Sequence, residues 1–197
     1  MGKLTVVSGG AKSGKSVYAE EMFSREKRIC YIATGVLFKQ DVEMQRRIEH
    51  HQKRRPSSWV TRETYEQVAD VIGENDYDGV LLDDATMLTT NLFFKFVTNN
   101  LPINGTSDVD EYIENMSKDA VEKVSNSIMN EWECILQSID QSDSPVVIVT
   151  NEVGLGIVPA TKQTRILRDC YGLVNQRLAK VAVDFYLVVS GLPLKIK

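Results

Sequence analysis

Apolar and polar positions alternate between two regimes along this chain. Short, near-continuous apolar runs rich in β-branched residues recur at 4–8 (LTVVS), 29–33 (ICYIA), 79–84 (GVLLDD), 145–151 (PVVIVTN) and 185–191 (FYLVVSG). Runs of that length suit strands buried on both faces, as in parallel sheets. Between them lie stretches of helical character at 14–26, 40–55, 64–73, 86–99, 108–141 and 161–182. Gly73 is a stop signal for the third, and Ser107 or Asp108 is an N-cap for the long, charge-laced fifth. Strands alternating with helices predict an α/β fold, a mostly parallel central sheet flanked by helices. The turn-rich segment 99–110 (NNLPINGTSDVD) reads as a loop, because the strand pattern resumes after it. One domain spanning 1–197 is expected. Right-handed crossovers then set the C-terminal strand ends along one edge, where open α/β sheets take their ligands.

Residues 9–16, GGAKSGKS, fit G-x-x-x-x-G-K-[ST] between a strand and a helix. In this pattern Gly9, Gly10, Ala11, Lys12, Ser13 and Gly14 turn the chain so that backbone N–H groups face phosphate oxygens. The helix start favours negative charge. Lys15 is expected at the β- and γ-phosphates and Ser16 at Mg²⁺. Such a loop wants an acidic partner on a neighbouring strand. Asp83 and Asp84 close the third run, and strand alternation lets only one of them face the nucleotide.

Composition narrows the class. The net charge is -4, with 43% hydrophobic and 25% charged residues, which argues against bulk electrostatic binding to nucleic acid. Cys30, Cys134 and Cys170 are too scattered for a zinc pattern and read as reduced thiols. No apolar run approaches the roughly 20 residues of a membrane span, and the start does not resemble a signal peptide. No membrane association and a cytoplasmic location are the expectations.

The local basic excess is Arg46–Arg55, RRIEHHQKRR, which holds the chain's two histidines side by side. On a helix, His51 shares the stripe of Met44 and Ile48, while His50 lies on the polar side with Glu43, Arg46 and Arg47. Neighbouring helix positions diverge, so a shared metal is disfavoured. A solvated basic face and a nucleophile beside bound phosphate both remain open. Other residues are also two-sided. Asn151 and Glu152 end the fourth strand and either line a substrate site or shape a turn. Arg165 and Arg168 either reach a neighbouring subunit's phosphate, as an arginine finger does, or form surface salt bridges. Trp59 and Trp132 read as packing residues, and the 108–141 stretch as a peripheral or subunit-contact element.

Taken together, SGGAKSGKS (8–16), YIATG (31–35), DVEMQRRIEHHQKRRPSSWVTRE (41–63), TNLFF (90–94), VTNEVGLGIVP (149–159), RILRDCYGLVNQRLA (165–179) and VVSGLPLKIK (188–197) resemble one family. It is the bifunctional adenosylcobinamide kinase/adenosylcobinamide-phosphate guanylyltransferases of cobalamin biosynthesis. The resemblance covers essentially the whole chain. It implies a RecA-like P-loop NTPase fold and a homotrimer. It also implies ATP and GTP as nucleotides with Mg²⁺, and adenosylcobinamide and its phosphate as partners. By the same resemblance His50 is the residue that GTP guanylylates, with Lys15 the second catalytic group. His51, Gln52, Lys53 and Arg54 match a nucleotide-contacting segment, and Thr34, Gly35 and Val36 match another. Glu63 matches a nucleotide-contacting acid. Asp83 occupies the place of an acid, often glutamate, that joins Ser16 in holding the metal. A kinase lacking the guanylyl transfer is the rival reading, and it needs no histidine. A RecA-like DNA-dependent ATPase and a non-catalytic nucleotide sensor are the others.

Overall fold

The computed structural model describes residues 3–35, 55–74, 76–101 and 108–197. Thus Val36, His50, His51, Gln52, Lys53 and Arg54, with the helix expected over 40–55, lie outside the described residues apart from Arg55. In chain order the elements are β1 (Leu4–Gly9), α1 (Lys15–Glu21), β2 (Ile29–Ala33), β3 (Val60–Glu63), α2 (Val68–Gly73), β4 (Gly79–Asp83) and α3 (Ala85–Asn99). They continue with α4 (Val109–Asn115), α5 (Lys118–Gln141), β5 (Val146–Asn151), α6 (Lys162–Val181), β6 (Asp184–Val189) and β7 (Leu192–Lys195).

The strands form one sheet in the order β3-β2-β4-β5-β1-β6-β7. Every pair is parallel except β6–β7. The mostly parallel α/β sheet flanked by helices is therefore present. Alternation along each strand divides the core into two layers. Val6, Ile32, Leu82 and Ile148 face a thick layer that includes α2, α3, α5 and α6. Val7, Tyr31, Leu81 and Val149 face a thinner layer that includes α1, Phe23 and Trp59. Both faces are apolar, which is why the strands read as unbroken apolar runs.

Two strands lack that signature. β3 is a short polar strand at the sheet edge with Thr61, Arg62 and Glu63 exposed. β7 is the other edge, and it carries Pro193, which edge strands tolerate. It follows β6 through Ser190 and Gly191, with φ of 52° and 83°. Two positive φ angles give the type I′ turn whose twist suits a two-residue hairpin.

The 108–141 stretch is two helices. Asp108 caps α4, accepting from the amides of Asp110 and Glu111. Ser117 caps α5, accepting from the Ala120 amide, so the chain turns at Met116–Ser117. A mid-pattern serine that competes for backbone donors breaks the run. The expectation of a peripheral element also changes. Val124, Ile128, Trp132, Ile135 and Ile139 of α5 are buried, and the Trp132 indole donates to Thr89 Oγ1 at 3.0 Å.

Candidate nucleotide site

β1 ends at Gly9, and the chain turns back over its tip before α1 begins. Lys12 and Gly14 carry φ of 57° and 95°. Left-handed residues set among ordinary ones curl successive N–H groups into a concave anion nest. A side chain at Gly9 has no room: its Cβ would lie 2.5 Å from Ser13 Oγ and 2.6 Å from the Val188 carbonyl oxygen. The Gly191 amide donates to the Ser13 carbonyl at 2.8 Å, so the β6–β7 turn clamps the loop from outside. Ser13 Oγ is buried and has no hydrogen-bond partner among the described residues. A buried hydroxyl left unpaired in an anion nest is the kind of donor that a phosphate oxygen satisfies. Lys15 is buried and donates to the Gly10 carbonyl at 3.3 Å, which holds its ammonium against the loop.

Opposite the loop stands Asp83, at the end of β4. Its Oδ1 accepts from the Ser16 hydroxyl at 3.3 Å, and its Oδ2 from the Tyr31 hydroxyl at 2.6 Å. The sequence suggested an acid on a strand next to β1, but β5 lies between β1 and β4. The gap is bridged because α1 packs across β1, β5 and β4 and carries Ser16 toward Asp83. The hard oxygens of Ser16 and Asp83, brought side by side at the cavity, are of the kind that would hold Mg²⁺.

Asp84 also reaches the cavity, although strand alternation allowed only one of the pair. Alternation stops where β4 does: Asp84 is the N-cap of α3 and accepts from the Met87 amide at 2.7 Å. Its other oxygen accepts from Asn151 Nδ2 at 3.1 Å. Burial, followed by the charge on Asp83, pushes its carboxyl up to about 6.

These groups line a cavity of about 680 Å³, walled by residues 11–17 with Tyr31, Ala33, Gly35, Arg55, Glu63, Asp83, Asp84, Met87 and Asn151. Lys15, Ser16, Gly35, Glu63 and Asp83 are thus brought together. Thr34 is not in the wall. It is fully buried, and its hydroxyl donates to the Asp84 carbonyl and accepts from the Asp84 amide. Its role here is to join the ends of β2 and β4. Asn151 lines the cavity, whereas Glu152 shapes the following turn by accepting from the Gly154 amide. Among the described residues Arg165 and Arg168 bond to carbonyls of their own chain. Arg165 donates to the Pro159 and Ala160 carbonyls, and Arg168 to those of Gly154 and Ile157, so α6 braces the loop after β5.

Tyr31 was not among the residues that the sequence pointed to, and Arg55 was marked only as the end of the basic run 46–55. The Arg55 guanidinium lies over the Tyr31 ring at 3.6 Å from its centroid and donates to Thr61 Oγ1 at 2.8 Å. The parity of β2 carried the signal for Tyr31. Ile29 and Tyr31 share a face with Leu81, the face on which α1 packs.

The model of a family described as "CobU: Cobinamide kinase / cobinamide phosphate guanyltransferase" matches residues 5–196. The "Bifunctional adenosylcobalamin biosynthesis protein CobU" of Escherichia coli (strain K12) is 38% identical over 196 residues, 98% of this chain and 99% of that one. The protein of the same name from Salmonella typhimurium is 37% identical, again over 98% of this chain and 99% of its own. The "Bifunctional adenosylcobalamin biosynthesis protein CobP" of Pseudomonas aeruginosa is 29% identical over 98% of this chain and 96% of its own.

Proposed function

This chain belongs to the cobinamide kinase / cobinamide phosphate guanyltransferase family, and we propose that it carries out both activities of that name. In the first, ATP or GTP phosphorylates adenosylcobinamide. In the second, GMP passes from GTP to adenosylcobinamide phosphate through a guanylyl-histidine at His50, giving adenosylcobinamide-GDP. The observation that carries this reading is the 3.3 Å approach of Ser16 to Asp83 inside a P-loop cavity, in a chain that the family spans from 5 to 196.

The residues divide the work as follows. The loop amides, Ser13 and Lys15 bind the phosphates and stabilise the charge that develops on the leaving group. Ser16 and Asp83 would hold Mg²⁺, which would supply electrostatic neutralisation of the phosphates. In the kinase reaction the substrate hydroxyl attacks the γ-phosphorus and the nucleoside diphosphate leaves. In the guanylyl transfer a neutral nitrogen of His50 attacks the α-phosphorus. A P–N bond forms, the bond to the β-phosphate oxygen breaks, and pyrophosphate departs. A phosphate oxygen of the corrinoid then attacks the same phosphorus, breaks the P–N bond and frees His50. Two displacements spare GTP and the bulky corrinoid from sharing one site.

Glu63 borders the cavity and in this reading contacts the nucleotide, as do Gly35, Val36, His51, Gln52, Lys53 and Arg54. A cytoplasmic homotrimer completes the reading. No described helix is long and apolar enough to cross a membrane.

The test is incubation of the pure protein with α-labelled GTP and Mg²⁺. Expected is an adduct that is stable in base, lost in acid and mapped to His50. It should be absent from His50→Ala, which should retain much of the kinase activity. Protonation of the phosphoramidate nitrogen makes imidazole a good leaving group, hence the acid lability. No adduct at saturating GTP would leave a simple kinase as the better reading.

A further inference from the structure

Tyr31 touches both halves of the cavity wall. Its ring is 3% exposed, held by β2 between α1 and the sheet. Its register partner on β4 is Leu81, so Asp83 is the next residue on the same face, within reach of a long side chain. The hydroxyl meets Asp83 Oδ2 at 2.6 Å, on the oxygen opposite the one that Ser16 uses. The same ring carries the Arg55 guanidinium on its outer face. Arg55 in turn borders the cavity.

We propose that Tyr31 is a positioning residue that acts in two directions. Its hydroxyl fixes the rotamer of Asp83 so that Oδ1 points at Ser16, and its ring face holds Arg55 against the nucleotide phosphates. An aspartate has one rotatable bond fewer than a glutamate and a shorter reach, so anchoring its far oxygen sets where the near one lies. A guanidinium stacked on an aromatic face at the cavity wall is held where its positive charge faces the bound anion. The two functions sit on different parts of one side chain, so substitution separates them. The inference rests on the reading that the cavity takes a Mg²⁺–nucleotide, and not on which transfer follows.

The experiment is equilibrium binding of a fluorescent GTP analogue, with and without MgCl₂ titration. Tyr31→Phe keeps the ring and the stacked arginine but removes the hydroxyl. It should raise the Mg²⁺ midpoint roughly tenfold, the scale of one hydrogen bond to a charged group, and leave metal-free affinity within about twofold of wild type. Arg55→Met should do the reverse, weakening metal-free binding and leaving the Mg²⁺ midpoint in place. Tyr31→Leu should show both losses. In an Asp83→Asn background, Tyr31→Phe should have no further effect on the midpoint, a coupling that a merely structural tyrosine would not produce. A wild-type midpoint in Tyr31→Phe overturns the proposal, as does an additive double mutant. So does nucleotide binding with no Mg²⁺ dependence in the wild type. Normal Mg²⁺-dependent binding without either transfer would instead sink the enzymatic reading and leave the role of Tyr31 standing.

Discussion

Ser16 Oγ stands 3.3 Å from Asp83 Oδ1, although 67 residues and an intervening strand separate them. One group comes from the first turn of α1 and the other from the last residue of β4. In the proposed function their meeting marks where a metal-bound nucleotide would sit. Asp83→Asn keeps the shape but loses the charge. Both transfers should fall at least about tenfold, the loss that even an outer partner of a metal ligand can cause, and raised Mg²⁺ should partly restore them. Glu63→Gln should instead raise the GTP KM with no rescue by Mg²⁺. Steady-state assays across a Mg²⁺ series decide it, and matching responses would mean that the two carboxylates share one role.

Lys15 is buried against the loop with its ammonium on the Gly10 carbonyl. In either transfer the charge that builds up lies on the β- and γ-phosphates, so one lysine serves both. Lys15→Ala should lower each by about 100-fold or more, the scale of losing a fixed electrostatic partner of the transition state. Parallel kinase and guanylyl-transfer assays check this. Activity within tenfold of wild type in both would remove Lys15 from the mechanism.

Much of this architecture was legible because it rests on burial. A strand covered on both faces has to be apolar at both parities, and β1, β2, β4 and β5 announce themselves in that way; β6 is only half-buried but keeps an apolar run. β3 and β7 do not, because an edge strand with exposed residues shares its composition with loops. The P-loop was legible for a different reason: its turn and its close approach at Gly9 demand particular residues at fixed spacing. Tyr31 escaped notice because nothing local marks it. Its importance comes from β4 lying beside β2, a pairing fixed by the whole sheet. The same holds for Asp84, whose direction depends on β4 ending one residue earlier. Nothing local marks Arg168 as a brace either, because the Gly154 and Ile157 carbonyls it meets are placed by the loop after β5.

Glu133 on α5 and Arg177 on α6 tie two helices of the thick layer together through paired hydrogen bonds. The Arg177 hydrogen bond, ahead of its charge, holds the Glu133 carboxyl below its ordinary range. The sign follows from linkage. The folded state favours the ionised form, so this contribution is present above the unfolded carboxyl pKa and disappears as pH falls through the folded value. Both side chains are about one-third exposed, at 32% and 38%, and solvent screening limits the effect. Glu133→Gln should destabilise by no more than about 1 kcal/mol at neutral pH. Urea denaturation at a series of pH values should show wild type and variant converging in acid. A gap that widens as pH falls would reverse the assignment.

Arg168 holds the loop after β5 by donating to the carbonyls of Gly154 and Ile157, 2.7 and 3.1 Å away. That loop exposes Leu155, Ile157 and Val158, so its own side chains bury little apolar surface. A segment with few buried contacts depends on such braces for its shape, and local opening should follow their loss. Arg168→Ala should therefore speed amide hydrogen exchange within 153–160. Exchange in β1 and α1 should stay at the wild-type rate, because the clamp on the P-loop comes from Gly191. Nucleotide affinity should remain within about twofold, since none of 152–160 lines the cavity. A large loss of nucleotide binding with unchanged exchange in the loop would show that Arg168 meets a nucleotide directly, as an arginine reaching a neighbouring subunit's phosphate would.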